Sequence, residues 1–124
     1  MPHKILLIDD ERVNVALIKF GLASNRYNVI EAADGIEGLE KVKEVNPDII
    51  ILDVMMPNMN GYEFMGELKA LQGFRTTPVI MLTANETMQD MFKLEGVKAY
   101  FVKPVMLNEL VAKIVECLGE NPQE

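Results

Sequence analysis

The chain has 124 residues, 49% of them hydrophobic, with 19 acidic against 12 basic side chains and a formal net charge of −7. That is the length of one domain with material for a real core, and its acidic balance excludes a nucleic-acid clamp, which needs a basic face. The single cysteine, Cys117, excludes an intrachain disulfide, and the opening apolar run is too short for a membrane span or a signal-peptide core, so the expectation is a cytoplasmic protein with no membrane contact.

The first predicted strand is KILLI (4–8), which runs straight into Asp9 and Asp10. Residues 12–23 read as a helix, and YNVIEA (27–32) as the second strand. DGIE (34–37) sets a capping aspartate three residues before a glutamate, the signature of a helix start. Ile36, Leu39, Val42 and Val45 then line one side of a helix over 35–45, which Asn46-Pro47 stops. DIIIL (48–52) is an unbroken apolar run, as a strand covered on both faces should be, and it exits at Asp53.

NGYE (60–63) repeats the capping pattern and opens a helix over 61–71. PVIML (78–82) is the fourth strand and ends at Thr83; a short fourth helix is expected at 86–95. AYFV (99–102) is the fifth strand, followed by Lys103 and Pro104. Leu107, Leu110, Val111, Ile114, Val115 and Leu118 stripe a fifth helix over 106–118, and GENPQE reads as a helix stop with a frayed tail.

Strands alternating with helices imply a parallel sheet with helices on both faces, joined by right-handed crossovers. Ligand sites in such sheets lie beyond the carboxyl ends of the strands. In the order 2-1-3-4-5, strands one, three, four and five stand side by side, so Asp9, Asp10, Asp53, Thr83 and Lys103 would converge. Three carboxylates against one ammonium leave the cluster negative and invite a divalent cation; Mg²⁺ accepts a few carboxylates and keeps several waters. A carboxylate beside a cation can act as a nucleophile and form an aspartyl phosphate, with Lys103 offsetting charge and the Thr83 hydroxyl within the same cluster.

The stretches ILLIDDE, AADGIEGLE, PDIIILDVMMPNMNGYE, PVIMLTA and AYFVKP, in this order and spacing, resemble the receiver domain of two-component response regulators over nearly the whole chain. The resemblance implies a flavodoxin-like doubly wound (βα)5 fold. It implies Asp53 as the acceptor of a phosphoryl group from a histidine kinase or phosphotransfer protein. Mg²⁺ ligands by the same match are Asp10, Asp53 and the backbone carbonyl of Met55, with Asp9 acting largely through water. Thr83 and Lys103 would contact the phosphoryl group. Tyr100 takes the family's aromatic switch position, Lys103-Pro104 is expected to be cis, and Pro57 and Gly61 match the loop after the acceptor. Phosphorylation would then alter the surface of the fourth helix, fifth strand and fifth helix.

The expected organisation is one receiver domain over 1–124, with its core at about 4–119, no effector domain, and an output through a downstream protein or an effector domain outside the chain. A receiver-like domain that binds partners without phosphorylation is the competing class; the complete Asp9, Asp10, Asp53, Thr83 and Lys103 set argues against it. A phosphatase of related fold would carry an acid/base carboxylate close beyond its nucleophile, where Met55 stands, and a flavin carrier would not have DDERVN after its first strand. His3, ahead of the first strand, is expected to be exposed, and Cys117 to be a small apolar packing residue.

Overall fold

Alternation along the strands feeds two separate apolar layers. The computed structural model describes residues 2–56, 58–71, 73–74, 76–84 and 96–121. Five strands, β1 (Lys4–Ile8), β2 (Asn28–Ala32), β3 (Ile49–Asp53), β4 (Val79–Thr83) and β5 (Val97–Val102), form one parallel sheet in the order β2-β1-β3-β4-β5. Four helices occur among the described residues: α1 (Arg12–Ser24), α2 (Gly35–Val45), α3 (Gly61–Ala70) and α4 (Leu107–Leu118). The helix expected at 86–95 lies outside the described residues, as does Pro57; α4 is the fifth helix of the sequence reading.

On one face Leu6, Ile8, Ile50, Leu52, Val79 and Met81 pack with Val42 of α2 and Phe64, Met65 and Leu68 of α3. On the other, Ile5, Leu7, Ile49, Ile51, Ile80 and Leu82 pack with Val15, Ile18 and Leu22 of α1 and Leu110 and Ile114 of α4. Each strand thus supplies both layers from neighbouring residues, which is why β1, β3 and β4 are apolar without interruption. Burying one such Leu or Ile contributes about 1.5–3 kcal/mol.

The outer strands depart from the expectation of two covered faces. Asn28 and Glu31 of β2 and Lys98 of β5 are exposed, because an edge strand has a neighbour on one side only. Some boundaries also move. Tyr27 donates its N–H to Leu22 O at the end of α1, so β2 starts at Asn28. β5 starts earlier than AYFV, at Val97, with a register shift that leaves Lys98 between the Val79–Val97 and Ile80–Ala99 pairs.

The capping patterns form as read. Asp34 accepts from Glu37 N at 2.8 Å, and Asn60 accepts from Glu63 N at 2.8 Å while the Glu63 carboxylate takes Asn60 N at 3.0 Å. Asn46 ends α2 in a left-handed conformation, φ 50°. His3 is not exposed: it is half-buried, its ring stacks on Tyr27 at 6.4 Å, and its N–H donates to Asn121 Oδ1 at 2.8 Å. Asn121, beyond α4, thus joins the segment before β1, and its Nδ2 donates to Asn25 O at 3.1 Å. Cys117 is partly buried against the α1/α4 layer.

Candidate functional site

Register decides what meets at the carboxyl edge of the sheet. Ile8 pairs with Leu52, Asp53 with Leu82, and Thr83 with Val102, so the exits of β1, β3, β4 and β5 lie side by side. Asp9, Asp53 and Thr83 are buried there, at 3%, 6% and 1% exposure, while Asp10 faces solvent. A buried carboxylate needs donors or a cation nearby.

Asp9 has both. Its N–H continues the β1–β2 ladder to Ala32 O at 3.1 Å, which turns its side chain inward. Oδ1 accepts Glu11 N at 2.9 Å, and Oδ2 accepts Asn14 Nδ2 at 2.7 Å. Lys103 Nζ stands 3.2 Å from Asp9 Oδ2 and 3.2 Å from Asp53 Oδ2, bridging the two carboxylates. Asp53 Oδ1 receives a long bond from Met55 N at 3.3 Å.

The electrostatics are unequal. Burial pushes the Asp53 carboxyl up, the Lys103 ammonium pulls it down, the Asp9 charge raises it again, and the balance is a pKa of about 6. Burial works to lower the Lys103 pKa, but the Asp53 and Asp9 carboxylates outweigh it and the ammonium is held above its ordinary value. At pH 7 Asp53 is therefore mostly ionised, with its acid form closer at hand than for an ordinary carboxyl.

Asp9, Asp10 and Asp53 each present a carboxylate oxygen within 4.8 Å of the others. This donor set is all oxygen and anionic, with one member open to water, and so fits a small hard divalent cation that keeps part of its hydration. Zinc sites commonly include at least one nitrogen or sulfur ligand, and the Asp9, Asp10 and Asp53 set offers only oxygen.

The remaining predicted residues sit around this centre. The Lys103–Pro104 peptide is cis, and Lys103 N donates to Thr83 O at 2.7 Å, which ties the β5 exit to the β4 exit. By alternation Thr83 falls on the face of Val79 and Met81, and Tyr100 packs partly buried against that same layer. Met55 is 62% exposed at the rim. Gly61 donates to Val54 O at 2.9 Å, and a Cβ there would come within 3.2 Å of Val54 Cα, a tight approach that would push the loop after β3 away from the strand by a few tenths of an ångström. The sequence reading missed Asn14; its place four residues beyond Asp10, at the start of a helix that passes the cluster, was the available signal.

Residues 5–115 match the family model of the response regulator receiver domain, and the chain belongs to that family. Receiver domains of two-component systems are signalling switches phosphorylated on aspartate. The chain is 39% identical, over 92% of its length and 48% of the relative's, to the alkaline phosphatase synthesis transcriptional regulatory protein PhoP of Bacillus subtilis. The chemotaxis protein CheY4 of Vibrio cholerae superposes with a TM-score of 0.87 at 31% identity, covering 95% of this chain and 100% of that one. The receiver domain of the Pseudomonas aeruginosa sensor histidine kinase PA1611, solved with magnesium coordinated in its active-site cleft, gives 0.87 at 31% identity over 96% and 99%. The chain spans about half the length, or less, of the curated relatives it matches. No helix among the described residues is long and apolar enough to cross a membrane.

Proposed function

We propose that Asp53 accepts a phosphoryl group from a histidine kinase or phosphotransfer protein. A carboxylate oxygen attacks the phosphorus, the new acyl-phosphate P–O bond forms, and the bond to the donor's nitrogen breaks. The observation that carries this reading is the position of Asp53: buried at the end of β3, within 3.2 Å of Lys103 and within the carboxylate cluster. Burial keeps the carboxylate weakly solvated, and Lys103 is in place to offset charge that builds on the phosphoryl oxygens.

Mg²⁺ is the proposed cofactor, held by Asp10, Asp53 and the Met55 carbonyl, with Asp9 acting through water; bound there it would neutralise charge between acceptor and donor. The commitment of both Asp9 oxygens to Glu11 N, Asn14 Nδ2 and Lys103 supports that division. Thr83 and Lys103 contact the phosphoryl group in this reading, and Thr83 and Tyr100, on one face of the sheet, carry the change toward the surface of 86–95, β5 and α4. We take residues 4–119 as the receiver core, with output to a downstream protein or effector domain, no nucleic-acid contact by this acidic chain, and a cytoplasmic setting.

Intact-protein mass after incubation with a small phosphodonor, with and without Mg²⁺, tests the proposal. A Mg²⁺-dependent gain of one phosphoryl group that Asp53→Asn loses is the expected result. A folded, Mg²⁺-binding chain that gains nothing would instead be a receiver that signals without phosphorylation.

A further inference from the structure

Asp9 Oδ2 has two donors, one shared with Asp53 and one not. Lys103 Nζ lies 3.2 Å from it and 3.2 Å from Asp53 Oδ2. Adding a phosphoryl group to Asp53 raises the negative charge there to about −2, and the flexible ammonium is drawn toward it. Asn14 Nδ2, 2.7 Å from Asp9 Oδ2, sits in the first turn of α1 and bonds the Asp9 carboxylate alone of the two.

We propose that Asn14 is a positioning residue, which shares Asp9 Oδ2 with Lys103 and holds that buried carboxylate in place while the ammonium turns to the phosphoryl group. Asp9 then stays aimed at the cluster in both states, pinned through Oδ1 by Glu11 N and through Oδ2 by Asn14. Outer-shell partners of carboxylates at metal sites commonly change affinity by 10- to 100-fold when removed. The neutral amide suits this role, since it offers N–H donors without adding charge to a cluster that already holds one lysine.

The inference rests on the proposed function, and the test separates the two. Mg²⁺ affinity of the full chain is measured calorimetrically for wild type, Asn14→Leu and Asn14→Gln, with and without fluoroberyllate as a phosphoryl mimic, alongside the melting temperature without metal. The expected result is a loss of about tenfold in Asn14→Leu, larger with fluoroberyllate than without it, and partial recovery in Asn14→Gln. Equal affinities in wild type and Asn14→Leu would overturn the inference and leave the proposed function standing. So would a loss of the same size with and without fluoroberyllate, or one that follows a lowered metal-free melting temperature and does not recover in Asn14→Gln; each would mark Asn14 as packing only. A wild-type chain that binds no Mg²⁺ overturns the proposed function and the inference together.

Discussion

Two aspartates flank one strand and have opposite fates. Asp48 stands before β3 and Asp53 ends it. Asp48 takes the N–H of Lys4 at 2.7 Å and gives its own to Lys4 O at 2.9 Å, while the Lys4 ammonium reaches Val45 O at 2.5 Å. At this end of the sheet acidic and basic groups are tied to backbone partners. At the other end Asp53 shares one lysine with Asp9, receives a single long backbone bond, and has its pKa pushed up to about 6. A carboxylate that answers a backbone amide joins elements together. One that is buried against another carboxylate is held in a state that a cation would relieve.

The largest way to break the contrast is to exchange the fates of the two. Asp53→Asn should abolish phosphoryl incorporation, and Asp48→Asn should leave it intact, read by mass. The next effect is on stability. The folded-state pKa of Asp53 lies above its ordinary 3.8, so between the two values the native chain binds more protons than the unfolded one, and this group's contribution declines as pH rises through that window. Without metal, Asp53→Asn should therefore be more stable than wild type at pH 7, the advantage fading toward pH 4. Denaturant midpoints across that range, with Mg²⁺ added in a parallel series, would show it; a constant difference across pH would refute it.

Asp48→Ala should have the opposite character. It removes the acceptor for Lys4 N and lowers stability by about 1–2 kcal/mol, with Mg²⁺ affinity unchanged in calorimetry. The smallest effect expected is at the α3 cap, where Asn60→Ala removes the side-chain acceptor of Glu63 N but keeps the backbone N–H that Glu63 accepts, for about 1 kcal/mol, measured as a lowered denaturant midpoint.

Much of the fold was legible because the signals are local. Apolar runs of strand length, two capping patterns and the Asn46-Pro47 stop marked most elements to within a residue or two. The start of β5 was less legible, since the register shift at Lys98 depends on pairing with β4. His3 was misread for the same kind of reason: Asn121, far along the chain, accepts its N–H.

For the site, the sequence by itself determined which side chains gather. Asp9, Asp10, Asp53, Thr83 and Lys103 follow apolar strands, and a parallel sheet must bring strand exits to one edge. Only the tertiary structure decided how the labour divides. The resemblance gave two adjacent aspartates different roles but not different burial; in the structure Asp9, its N–H bonded to Ala32 O, lies inward and Asp10 in water. Nor does sequence show that one ammonium spans two carboxylates, or that Asn14 secures the oxygen it shares with Lys103. Those facts depend on distances between side chains from β1, β3, α1 and the β5 exit, and such distances exist only once the helices have packed the strands into register.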